Sequence, residues 1–128
     1  MSTQYLSIPP AASFSKYIKW AEDGALVNPT GYKVTISFYD SEGYGVATFT
    51  SAGSEVVLTT GNIHISLSAA QATALATATY FEIAVTYPDG KVDYKALTGA
   101  VTQSVLDTAT HSIVLNHNKG MDARTVAA

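Results

Sequence analysis

Short runs of alternating apolar and polar residues, broken by turn residues, make this 128-residue chain an all-β protein folded as a two-sheet sandwich. Three observations carry that reading. Tyr32 to Asp40 alternates cleanly, with Tyr32, Val34, Ile36 and Phe38 on one side and Lys33, Thr35 and Ser37 on the other. Thr79 to Tyr87 and Lys91 to Thr102 are β-rich runs joined by Pro88-Asp89-Gly90. There Pro presets φ, Asp bonds its own backbone and Gly supplies a φ > 0 position, which is the chemistry of an antiparallel hairpin. Turn clusters recur every 8 to 12 residues or so along the rest, enough for about seven short strands.

In chain order, Met1 to Ser13 is small and polar around Ile8-Pro9-Pro10, and the proline pair predicts an extended arm. Phe14 to Trp20 is the first strand. Its lysines, Lys16 and Lys19, predict an edge position, since charge there discourages further pairing. Asp23-Gly24 and Asn28-Pro29-Thr30-Gly31 are turns. Tyr32 to Asp40 and Val46 to Thr50 flank Ser41-Glu42-Gly43. Val56 to Leu58 and Ile63 to Leu67 flank Thr59-Thr60-Gly61-Asn62. Ser68 to Ala78 is alanine-rich, with Ser68 as N-cap and Gln71 completing a capping box. It predicts a helical turn near 68–76 across the end of the sandwich, plugged by Leu75. In the hairpin, Phe81, Ile83 and Val85 face inward, partnered by Val92, Tyr94 and Ala96, with a bulge near Leu97 to Gly99 before Val101. Ser112 to Leu115 is a last short strand. The predicted core is Val34, Ile36, Phe38, Ile63, Ile65, Leu67, Phe81, Ile83, Val85 and Val101. Burying each such side chain is worth roughly 1.5–3 kcal/mol, which lets the core offset chain entropy without disulfides.

Bulk composition narrows the function. Hydrophobic residues make up 47% and charged residues only 13%, so the chain buries a core and leaves a surface poor in charge, as surfaces covered by partners are. The net charge is −3 and the single arginine is Arg124, which argues against nucleic acid, because phosphate binding needs clustered Lys and Arg. There is no cysteine and no run of about 20 apolar residues for a membrane span. The N-terminal residues lack a charged region followed by an apolar run, so the expectation is synthesis in the cytoplasm without a Sec-type signal.

No residue pattern points to catalysis, a metal or a cofactor. His64 falls on the outward face of its strand, and His111 and His117 are spaced unlike zinc ligands. Asp89-Gly90-Lys91-Val92-Asp93 lacks the alternating acids of a calcium loop. Glu82 and Asp93 are read as solvated charges on the outward face of the hairpin, without the burial that general acid work requires. There is no Gly-x-Ser-x-Gly elbow, no phosphate-cradling loop, and no nucleophile beside a base. The eight tyrosines are the one excess: Tyr5, Tyr17, Tyr32, Tyr39, Tyr44, Tyr80, Tyr87 and Tyr94. Tyrosine offers large contact area at low entropic cost, so Tyr5, Tyr17, Tyr39, Tyr44, Tyr87 and the lone Arg124 are the candidate interface residues.

Two stretches resemble a known family. Asp23-Gly24-Ala25-Leu26-Val27-Asn28-Pro29-Thr30-Gly31-Tyr32 looks like the lead-in to the first core strand of small Ig-like β-sandwich modules in bacteriophage tails and baseplates, such as the N-terminal domains of upper baseplate proteins. Ile65-Ser66-Leu67-Ser68-Ala69-Ala70-Gln71, the hairpin Tyr80 to Gly90, and Gly99-Ala100-Val101-Thr102-Gln103-Ser104 are similar to their second half. Pro29 stands where those modules carry leucine, and nothing after Ser104 resembles them. The resemblance implies a single Ig-like antiparallel β-sandwich and a non-enzymatic structural protein of the virion: a tail or baseplate connector, or a capsid decoration. Its partners would be other virion proteins and further copies of itself.

The expected organisation is an N-terminal arm over 1–13, a sandwich domain over 14–115 and a C-terminal arm over 116–128, the arms packing on neighbouring subunits. The alternative expectation is a carbohydrate-binding module on the virion surface. It would stack a host glycan on Tyr39, Tyr44 or Tyr87 and help host attachment.

Overall fold

The computed structural model describes residues 5–103 and 113–117. Along the chain these form β1 (Tyr5–Ile8), β2 (Phe14–Glu22), β3 (Ala25–Leu26), β4 (Lys33–Tyr39), β5 (Gly45–Thr50), β6 (Val56–Thr59) and β7 (Asn62–Leu67). The short helix α1 (Ala69–Ala74), β8 (Tyr80–Thr86), β9 (Val92–Gln103) and β10 (Ile113–His117) follow. The strands make two sheets packed face to face. The front sheet runs β1-β9-β8-β4-β5; the back sheet runs β10-β2-β7-β6, with the short β3 paired to β2. The expected sandwich is present, with ten described strands where about seven were predicted.

The alternation read from the sequence explains the core. Val34, Ile36 and Phe38 of β4 pair with Val85, Ile83 and Phe81 of β8, so one pleat face of both strands is wholly apolar. Ile63, Ile65 and Leu67 answer from the back sheet, and every predicted core residue is buried. The back sheet adds Phe14, Ile18 and Trp20 from β2, and the rings of Trp20 and Tyr32 meet in a T-shaped pair with centroids 5.3 Å apart. The capping box forms as predicted. Ser68 Oγ accepts from Gln71 N at 3.2 Å, Gln71 Oε1 accepts from Ser68 N at 2.7 Å, and Leu75 is fully buried at the helix end.

The β8–β9 hairpin forms where expected, but its second strand is phased differently. Tyr87 N donates to Lys91 O and Gly90 N to Tyr87 O, each at 2.9 Å, so the loop holds three residues with Gly90 at φ +89°. That loop length pairs Thr86 with Val92 and Val85 with Asp93. Asp93 therefore shares the inward face of Val85 and is buried, while Val92 and Tyr94 take the outward face, the reverse of the sequence expectation. The bulge lies earlier than Leu97: Tyr94, Lys95 and Ala96 stand opposite Ala84 alone, between the pairs Ile83–Leu97 and Val85–Asp93. Asp93 Oδ1 accepts from Lys95 N at 3.3 Å and so helps shape that bulge.

Three further expectations change. β2 is not an edge strand, because β10 pairs with it on one side and β7 on the other. Residues 5–8, expected in an arm, form β1 and bury Leu6 and Ile8 completely against the core. Asn116 and His117, assigned to the C-terminal arm, end β10, and residues 118–128 lie outside the described residues. Both terminal strands pair in parallel, β1 with β9 and β10 with β2. No tight turn links either strand to its partner, so nothing in the connection imposes an antiparallel direction.

Candidate assembly surface

The outward face of the front sheet carries polar and aromatic residues from β4, β8 and β9. Between the buried residues of β4 stand Thr35, Ser37 and Tyr39; between those of β8 stand Tyr80, Glu82, Ala84 and Thr86. With Val92, Tyr94 and Lys95 of β9 most of these line a shallow groove of about 380 Å³. The face is rich in hydroxyls, methyls and phenol rings, and its charges are Lys33, Glu82 and Lys95. Lys95 Nζ lies 3.6 Å from Glu82 Oε2, but Lys95 is 71% exposed, so the pair adds little stability. At one end Tyr39 and Tyr80 stack with centroids 5.0 Å apart. At the bulge Tyr94 stands 67% exposed. Glu82 pairs across to Thr98 on this outward side while Asp93 points inward, so the two carboxylates lie on opposite faces of the sheet.

The candidate interface tyrosines do not gather in one place. Tyr5 lies in β1, on the face opposite Leu6. Tyr39 lies on the outer front face, and Tyr44 stands 69% exposed in the turn from β4 to β5. That turn is tied by Asp40 Oδ1, which accepts from Glu42 N at 2.9 Å and Tyr44 N at 3.0 Å. Tyr17 is on the outer face of the back sheet. Tyr87, expected at the surface, is only 2% exposed and packs its ring against Tyr32, because it closes the core at the hairpin end. Arg124 lies outside the described residues. Tyr94, not among the interface candidates, is exposed because the three-residue hairpin loop turns it outward. The Pro88-Asp89-Gly90 signature holds that information, if the loop is counted before the pleat is phased.

The outer back face holds one contact that the sequence reading denied. Ser15 Oγ and His64 Nε2 are 2.7 Å apart, a hydroxyl beside a base. Tyr17 stacks flat on His64 with centroids 4.0 Å apart and 7° between planes. The cross-strand neighbours of His64 are Tyr17 and Val57, neither of which is a carboxylate that would orient the ring. A second hollow, about 420 Å³ beside β3, is lined by Glu22, Leu26, Asn28, Thr30 and Tyr32 among others. Its polar groups are engaged in holding the turn: Tyr32 Oη donates to Glu22 Oε1 at 3.1 Å, and Asn28 Oδ1 accepts from Thr30 N at 3.1 Å and Thr30 Oγ1 at 2.9 Å. Among the described residues no three metal-ligating side chains come together, and no helix is long and apolar enough to cross a membrane.

Two apolar-cored sheets presenting broad tyrosine- and hydroxyl-rich faces define a β-sandwich module. The chain belongs to the LtfC-like β-sandwich domain family, a phage-associated family whose match covers residues 2–104. A search of curated proteins finds no match. The matched span includes β1 and ends just after β9, so β10 lies beyond it.

Proposed function

We propose that this chain is a non-enzymatic structural protein of the phage virion, acting through protein–protein contacts made by its sheet faces. The observation that carries the proposal is the outer front face: a surface of tyrosines, hydroxyls and methyls whose charges are Lys33, Glu82 and Lys95, bearing the Tyr39–Tyr80 stack and Tyr94, in a chain of a phage-associated family. Such a face supplies contact area at low entropic and desolvation cost. Its place is the tail or baseplate, or the capsid exterior as a decoration, and its partners are other virion proteins and further copies of itself. Nucleic acid is disfavoured by the charge of −3.

The Ser15–His64 contact does not support an enzyme. A working dyad needs a third group to orient the base and donors aimed at the developing oxyanion, and the cross-strand neighbours of His64, Tyr17 and Val57, supply no carboxylate for the first role. Glycan stacking on Tyr39, Tyr44 and Tyr87 is also disfavoured as a shared platform. Tyr80, the partner of Tyr39, begins β8 and Tyr87 directly follows its end, about 23 Å away at ~3.3 Å per residue, and Tyr87 is buried.

The test is to purify phage particles produced with a tagged copy of this chain. The expected result is a fixed copy number per particle, reduced by Tyr39→Ser with Tyr94→Ser while the unfolding midpoint is unchanged. A chain left entirely in the particle-free lysate sinks the proposal. Specific binding of the isolated monomer to a glycan array would transfer support to the attachment reading.

A further inference from the structure

The two sides of the sandwich are finished differently. On the side of β1 and β10, the inward residues Leu6, Ile8, Ile113 and Leu115 are all essentially inaccessible. On the side of β5 and β6, Val56 is buried, but Val46, Ala47, Phe49 and Leu58 pack on the core and remain only partly buried. Here β5 ends the front sheet, and among the described residues no strand pairs with its outer side. Its sequence, Gly45-Val46-Ala47-Thr48-Phe49-Thr50, contains no charge and no proline. Edge strands normally carry such residues to prevent further pairing.

The hydrogen-bond phase of that edge can be read from its inner side. Ser51 N donates to Val34 O at 2.9 Å, which makes Val34–Ser51 a bonded pair in the antiparallel ladder. The register then makes Ile36–Phe49 the next bonded pair. Thr48 and Thr50, opposite Ser37 and Thr35, are the alternate positions, so their backbone N–H and C=O groups point away from β4. These groups call for an extended strand, and the partly buried apolar row beside them calls for one that brings apolar side chains.

We propose that β5 is a self-association edge: two copies of the chain pair antiparallel through β5, about a two-fold axis beside Phe49. Thr48 of one copy then stands opposite Thr50 of the other in two bonded pairs, and Phe49 faces Phe49 across the axis as an aromatic pair. This register stops short of the irregularity near Val46, where β4 and β5 shift register, and places no charge opposite a like charge. The occupant is a second copy because the strand is complementary to itself in hydrogen bonding, size and charge. The inference rests on the assembly reading above and names one of its contacts.

Sedimentation of the full chain over a range of concentrations tests it. The wild type is expected to show a monomer–dimer equilibrium. Thr48→Pro removes an N–H that points away from β4, so it should shift the equilibrium to monomer by tenfold or more while leaving the fold intact. Unfolding followed by the fluorescence of Trp20 checks that intactness. Thr48→Val keeps the backbone donor and should dimerise as the wild type does. A wild type that stays monomeric at its highest soluble concentration overturns the inference, as does a dimer indifferent to Thr48→Pro in a folded protein. Neither result touches the virion reading, which stands or falls on whether the chain is found in particles.

Discussion

Gly31 lies against the ring of Pro88. A Cβ added to Gly31 would stand 3.1 Å from Pro88 Cβ and 3.2 Å from its Cγ, and Gly31 itself holds φ +83°. The contact joins the turn before β4 to the turn between β8 and β9, two stretches far apart in sequence that both carry the resemblance to phage sandwich modules. Gly31→Ala should lose about 1–2 kcal/mol from the left-handed backbone alone, and more because the proline ring must shift. Gly43, at φ +87° with nothing within 4 Å, supplies the control: Gly43→Ala carries the backbone cost only. Chemical denaturation of both variants measures the difference, and equal losses would dismiss the Pro88 contact.

Leu6 and Ile8 are fully buried in β1, so residues 5–8 are part of the folded body. Leu6→Ala is expected to destabilise the protein by about 2–5 kcal/mol. Removing 1–13 should abolish cooperative thermal unfolding, whereas a detachable arm would leave the transition intact.

β10 lies beyond the family match yet places Ile113 and Leu115 in the core beside Ile18 and Trp20 of β2. Leu115→Ala should cost about 2–5 kcal/mol, while Val114→Ala, at an exposed position on the same strand, should cost under about 1 kcal/mol. Equal and small losses at the two sites would mean that β10 does not complete the core.

Ser68 caps α1 through its side chain, and Gln71 returns the bond while its Nε2 donates to Glu55 Oε2 at 2.9 Å. Ser68→Ala should cost about 0.5–2 kcal/mol, and Ser68→Asp, which keeps an acceptor, should recover most of it. Thermal melts of the two variants decide this, and no gap between them would remove the cap from the account.

Local chemistry was legible in the chain itself. The alternation of β4 and β8, the capping box at Ser68, the plug at Leu75 and the turn at Pro88-Asp89-Gly90 depend on residues a few positions apart, where side-chain periodicity and turn propensity dominate. Other features were decided only by the packed structure. β2 looked like an edge because of Lys16 and Lys19; its partner β10 comes from the far end of the chain, and no local pattern announces that parallel pairing. The phase of β9 followed the loop length, not the apolar count, and so moved Asp93 inside and Tyr94 outside. Tyr17 and His64, far apart in sequence, stack only because β2 and β7 align in one register, which also brings Ser15 to the imidazole. Periodicity assigns a residue to a face of its own strand; which strand lies beside it depends on the global burial of apolar surface, which couples distant segments.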